Sequence, residues 1–138
     1  MPILTVILST APDAAVSFSV AATLSRLTEE ILHKDPQLTA IAISHIDPMH
    51  WFIGGASLAA QKKTSFFLDI RITDETNTAA EKAHYIDAVF REIEALLGQL
   101  HHASYVHVHD VRAAAYGFGG LTQQHRAVAA RLHSPVPV

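Results

Sequence analysis

Cysteine is absent from the 138 residues, which excludes disulfides, thiol nucleophiles and thiolate metal sites and leaves nitrogen, oxygen or a cofactor for any chemistry. Basic charge is also scarce: ten Lys and Arg face thirteen Asp and Glu, a formal net charge of −3. No basic block would neutralise a run of phosphates, so nucleic acid is not an expected partner. No stretch reaches the roughly 18 to 20 apolar residues of a membrane span, and no basic segment precedes an apolar one at the amino terminus. The expectation is therefore a cytoplasmic protein without a membrane partner. What is present is a 49% apolar content against 17% charged, enough for one globular domain over residues 1–138. Histidine, at ten residues, is the one excess.

Ile3 to Ser9 is apolar and β-branched and reads as a strand opening directly after Pro2. Thr10 and Asp13 have capping-box spacing, and Val16, Val20, Leu24, Leu27 and Ile31 then recur at helical spacing. The helix should stop near His33-Lys34, before Asp35-Pro36. Thr39 to Ile46 reads as a second strand, and a loop containing Trp51-Phe52-Ile53-Gly54-Gly55 closes a first β-α-β unit over residues 2–55. In the next strand, Thr64 to Thr73, Phe66, Leu68, Ile70 and Ile72 should pack on helices while Phe67, Asp69, Arg71 and Thr73 face away. A second helix starts at Thr78 with Glu81 at capping-box distance, carries Ile86, Val89, Phe90, Ile93, Leu97 and Leu100, and is loosened by Gly98. In the last strand, Ser104 to Val111, Tyr105, His107 and His109 share one face, and the loop Tyr116-Gly117-Phe118-Gly119-Gly120 closes the second unit, residues 64–120.

The same order thus occurs twice, as an internal repeat. Right-handed crossovers put both helices on one face of a four-stranded sheet, an α+β fold built from a tandem β-α-β repeat. The other face, with Ile3 or Leu4, Ala42, Phe67 and Tyr105, has no cover within the chain and predicts a closed homo-oligomer. Residues 121–138 form a carboxy-terminal extension, a short helix over Leu121 to Leu132 and an extended tail from Ser134.

Pro2 carries the candidate chemistry. A small second residue permits removal of Met1, which would leave a secondary amine at the start of a buried strand. An α-amino group has a pKa of about 7.7 to 8.0, and desolvation lowers it toward the working pH of a general base. Pro2 before a strand, the doubled unit, the Trp51 to Gly55 loop, and Tyr105-Val106-His107-Val108-His109-Asp110 ahead of the Tyr116 to Gly120 loop together resemble the tautomerase superfamily in its long, fused form. That group contains 4-oxalocrotonate tautomerase and macrophage migration inhibitory factor. The resemblance spans roughly residues 2 to 120.

The resemblance implies a homotrimer whose sheets meet at the centre and whose sites lie between subunits. It implies an isomerase, a keto-enol tautomerase acting on a small 2-oxo acid or its enol, with Pro2 as general base and no cofactor. Lys34 matches the basic residue after the first helix, and Tyr105 the tyrosine that lines a neighbouring subunit's pocket. His107 stands where asparagine is frequent and would donate to a substrate oxygen or shuttle a proton. Two arginines of the short members have no counterpart, since Ala11-Pro12 and Ala42 stand near their places. The branches that dehalogenate, hydrate or decarboxylate place basic residues where this chain has the acidic turn Thr73-Asp74-Glu75-Thr76. A substrate carboxylate would then fall to Arg71, Arg112 or Arg126, because the planar guanidinium fork makes two parallel hydrogen bonds. Arg71 has the alternative of pairing with Asp69 at a subunit contact. Trp51 and Phe118 would wall the pocket.

No metal is expected, because the histidines lack a carboxylate at a recognised ligand offset. The glycine loops lack the spacing of a dinucleotide fingerprint. Two other functions remain in view: dehalogenation, hydration or decarboxylation on the same scaffold, and a non-catalytic trimeric binding protein in which Pro2 is inert.

Overall fold

The computed structural model describes residues 2–133; Met1 and the tail from Ser134 lie outside the described residues. In chain order the elements are β1 (Ile3–Leu8), α1 (Ala14–Leu32), β2 (Ala40–His45), β3 (Phe52–Ile53), β4 (Ala56–Ser57), α2 (Leu58–Gln61), β5 (Phe66–Thr73), α3 (Ala79–Leu97), β6 (Tyr105–Val111), β7 (Gly117–Phe118), β8 (Leu121–Thr122) and α4 (Gln123–His133). Four strands form one sheet in the order β2-β1-β5-β6. β1 runs parallel to β2 and β5 parallel to β6, while β1 and β5 meet antiparallel with Ile3 opposite Arg71 and Leu8 opposite Phe66. Each parallel pair is therefore one β-α-β unit, and the antiparallel seam joins the two.

Alternation along the strands explains the layering. Leu4, Val6, Leu8, Leu68, Ile70 and Ile72 are fully buried and face Val20, Leu24, Val89 and Ile93 on α1 and α3. The opposite sheet face is open: Ile3 is 44% and Tyr105 63% exposed. Ile3, not Leu4, is the strand-one residue left wet.

The local differences from the sequence reading have physical causes. Asp13, not Thr10, caps α1, accepting from the backbone of Ala15 at 2.8 Å and Val16 at 3.4 Å. Pro12 disfavours helix at Ala11, so the first turn starts later. Thr64 precedes β5 and bonds across to the loop after α3, its N–H to Gln99 O at 3.0 Å and its carbonyl from His101 N at 2.9 Å. Leu100 is accordingly outside α3 and reaches the core through a bridge with Thr64. On α3 the core stripe is Tyr85, Val89 and Ile93, one helical turn apart, and Ile86 lies beside it at 40% exposure.

The repeat is closest in the two short hairpins, β3–β4 and β7–β8. Leu58 N donates to Trp51 O at 2.9 Å and Gln123 N to Tyr116 O at 2.7 Å. Gln61 Nε2 donates to Ile53 O at 2.9 Å and the Arg126 guanidinium to Phe118 O at 3.0 Å. Residues 51, 53, 58 and 61 thus correspond in order to 116, 118, 123 and 126. Each hairpin turns on two glycines at positive φ, Gly119 at 60° and Gly120 at 83° in the second copy, the backbone that a two-residue turn of the mirror-image type demands.

Candidate active site around Pro2

Pro2 is buried at the head of β1, and its carbonyl accepts from Ala40 N at 3.2 Å. It borders a cavity of about 250 Å³, with Pro2, Ile3, Leu38 and Ala40 on one side and Tyr116, Gly117 and Phe118 on the other. The antiparallel β1–β5 seam creates this meeting, because it carries the end of the second unit back across the start of the first. Gly117 permits the close approach within the hairpin: a Cβ there would stand 2.1 Å from Leu121 O.

Tyr116 supplies the polar group of the cavity. Its hydroxyl donates to Arg71 O at 3.2 Å, and Arg71 stands opposite Ile3 in the β1–β5 ladder. Burial pushes the phenol above its ordinary pKa, opposed by the Ile3 N–H and by the positive charge of Arg71. Phe118 forms the apolar wall, with the Arg126 guanidinium 3.8 Å from its ring centroid. Tyr116 is the residue that sequence reasoning saw in a loop without assigning it to the site. The available signal was its repeat partner Trp51, together with the antiparallel joining of the two units.

The other expected residues are spread across the molecule. Arg71 contributes its carbonyl near Pro2, but its side chain lies on the open sheet face with Nε 3.7 Å from Asp69 Oδ1. His109 Nε2 lies 2.9 Å from Asp69 Oδ2, and His107 stacks on His109 with ring centroids 3.6 Å apart. Tyr105 stands opposite Phe67, at the Ile7 end of the sheet and away from Pro2. Tyr105 and His107 therefore do not meet Pro2 within one chain. Lys34 donates to Thr76 Oγ1 at 2.8 Å, and partial burial lowers its pKa against the pull of Glu81 and Asp110. Arg112 borders a different hollow with Asp74 and Glu75. Trp51 is half-buried in the first hairpin loop. Among the described residues no Lys or Arg lines the Pro2 cavity, and no group of three or more His, Asp and Glu is arranged to hold a metal ion.

A larger cavity, about 550 Å³, lies at the other end of β1 between Ser9 to Pro12, His45 and Lys63. Size does not decide between them; the smaller one has the proline and the phenol.

Solved structures share this architecture. Native fused 4-OT aligns with a TM-score of 0.78 at 21% sequence identity, covering 91% of this chain and 98% of that one. The fold is the fused tautomerase fold. The R7 fused 4-OT asymmetric trimer aligns at 0.79 with 18% identity, over 91% of this chain and 98% of that one. A macrophage migration inhibitory factor-like protein from Entamoeba histolytica aligns at 0.72 with 16% identity, over 88% and 97%. No protein-family model and no curated protein matches the sequence. Within this tautomerase fold Pro2 stands at the head of the first strand, and no helix among the described residues is long and apolar enough to cross a membrane.

Proposed function

We propose that the chain, once Met1 is removed, is a keto-enol tautomerase whose Pro2 amine is the general base. The observation that carries this reading is the burial of Pro2 against an apolar cavity that faces Tyr116 and Phe118. An amine held there is desolvated, which disfavours its ammonium form and leaves the free base available near neutral pH. The base takes the enol proton, or a proton from carbon beside a carbonyl, and returns it at the other end of the same three-atom system. Both steps can use one nitrogen, so the reaction needs no redox change.

The substrate class proposed is a small 2-oxo acid or its enol. The charge that develops on its oxygen needs a hydrogen-bond donor, and its carboxylate needs a cation. Neither Tyr105 nor His107 reaches Pro2 from its own chain, and among the described residues no cation lines the cavity. The reading therefore includes a homotrimer in which neighbouring copies bring Tyr105 and His107 to the site, with Arg71, Lys34 or Arg112 for the carboxylate and Trp51 as a further wall. The half-apolar open sheet face supports that assembly.

Phenylenolpyruvate ketonisation, followed by ultraviolet absorbance, tests the base. Pro2→Ala, with Met1 removal checked by intact mass, should lose about a hundredfold or more of the wild-type rate. Equal rates in the two proteins would remove Pro2 from the mechanism and favour a binding role for the assembly.

A further inference from the structure

We infer that the cavity at the far end of β1 is a second ligand site, built for a free α-amino acid with an apolar side chain: Lys63 meets its carboxylate, and Asp47 and His45 its ammonium. The inference stands apart from the tautomerase reading, because Pro2 lies at the other end of the strand.

The repeat shows why the chain is open here. His45 stands opposite Leu8 in the first unit as Asp110 stands opposite Ile72 in the second. Ser17 and Lys82 are likewise the fourth residues of α1 and α3. In the second unit Lys82 Nζ donates to Asp110 Oδ2 at 2.6 Å, which ties the helix to the end of the strand. At these places the first unit has Ser17 and His45, and His45 Nδ1 meets Thr10 O instead, at 3.0 Å. The hollow left in the first unit is about 550 Å³, against about 280 Å³ beside Asp74 and Arg112 in the second. A cavity of the larger size holds a small organic molecule.

The polar groups that border the cavity have bonding capacity left over. A carbonyl only accepts, so His45 Nδ1 carries the hydrogen and the neutral ring keeps its lone pair on Nε2. Asp47 uses one carboxylate oxygen to cap the turn Pro48–His50, accepting from Met49 N at 2.8 Å, and keeps the other. Both groups are acceptors without a proton to give. Lys63 is exposed and makes no ion pair among the described residues. The Thr10 hydroxyl is buried and meets no partner among the described residues, a cost that a bonded ligand oxygen would remove. Cation and hydroxyl thus suit a carboxylate, while anion and lone pair suit an ammonium. Pro12 and Pro48 add apolar surface for a side chain. A ligand with one charge would leave Lys63 or Asp47 uncompensated, whereas a zwitterion matches both.

L-Phenylalanine is the probe, followed by calorimetry and by backbone amide shifts of the full chain. Binding with a millimolar Kd is expected, with shifts at Thr10, Asp47 and Thr64. N-Acetyl-L-phenylalanine lacks the ammonium and L-phenylalaninamide the carboxylate, and each should bind about fivefold weaker, the worth of one partly exposed charge pair. Lys63→Gln should weaken phenylalanine about fivefold and leave phenylalaninamide unchanged. Asp47→Asn, which keeps the cap, should weaken phenylalanine by a similar factor and leave the acetyl derivative unchanged. Both positions are exposed, so the helical dichroism should persist. Pro2→Ala should bind phenylalanine as the wild type does, whether or not it ketonises, which separates this site from the tautomerase reading. No shift at about 10 mM phenylalanine, shifts confined to Ile3 and Gly117, or loss of binding in Pro2→Ala would overturn the site. So would wild-type affinity in both charge variants, or equal binding of phenylalanine and its two blocked forms.

Discussion

Tyr85 and Thr28 are both fully buried, and their hydroxyls lie 2.8 Å apart between α3 and α1. Each satisfies the other, so the pair is tolerated where a lone hydroxyl would not be. Burial pushes the Tyr85 phenol up to about 12, the Thr28 bond opposing. An unfolded tyrosine ionises near 10, so above that pH the unfolded chain sheds a proton that the folded chain keeps. The contribution of neutral Tyr85 is therefore complete below about pH 10 and is lost as pH rises through the folded value near 12. In an ultraviolet titration of the three tyrosines, Tyr85 should ionise last and together with unfolding; reversible ionisation near pH 10 in the native state would contradict the burial argument. Tyr85→Phe leaves the Thr28 hydroxyl without a partner and should cost about 1 to 3 kcal/mol in urea unfolding. Adding Thr28→Val should recover part of that loss, since the buried polar group then disappears.

At the scale of elements, capping residues and strand alternation were legible where a local rule sufficed. Thr78 and Glu81 form a complete capping box, Glu81 N donating to Thr78 Oγ1 at 3.1 Å and Thr78 N to the Glu81 carboxylate at 2.8 Å. The same spacing at Thr10 and Asp13 does not, because Pro12 intervenes and Asp13 caps the helix itself. Pro2 could be singled out because a proline directly before an apolar strand is a local feature. Tyr116 could not, because its place depends on the antiparallel pairing of β1 with β5, a contact between residues nearly half the chain apart. Lys34 is similar: its capture by Thr76 joins the end of α1 to the turn before α3. The hairpin that carries Tyr116 and Phe118 is tight enough to test. Gly117→Ala places a methyl on the Leu121 carbonyl, so the hairpin must open and both side chains move. Ketonisation should fall about tenfold or more while the helical circular dichroism of α1 and α3 is retained. An unchanged rate would show that the cavity wall does not depend on this close approach.

The whole molecule presents a sheet with one face packed and one open. An antiparallel or mixed sheet can tolerate a wet face when that face is polar, but here Ile3, Ala40, Ala42, Ile7, Phe67 and Tyr105 surround the polar group of Asp69, Arg71 and His109. An apolar surround with a paired polar centre suits a self-associating surface, where the polar side chains already satisfy one another before they are covered. The proposed trimer predicts three chain masses in analytical ultracentrifugation. Thr5 tests which surface is used, because it is exposed at the centre of the open face, opposite Ala42 on one side and Asp69 on the other. Thr5→Glu sets a second carboxylate directly across from Asp69, and covering both would strip water from two like charges. The mass should fall to that of one chain while the helical dichroism persists, since Thr5 does not point into the core between sheet and helices. Ketonisation should fall with the mass, because a lone chain lacks the neighbouring Tyr105 and His107 that the proposed site requires. A variant that still sediments as three chains would exclude this face as the assembly surface. A single chain that retains the full rate would confine the working site to Pro2, Tyr116 and Phe118.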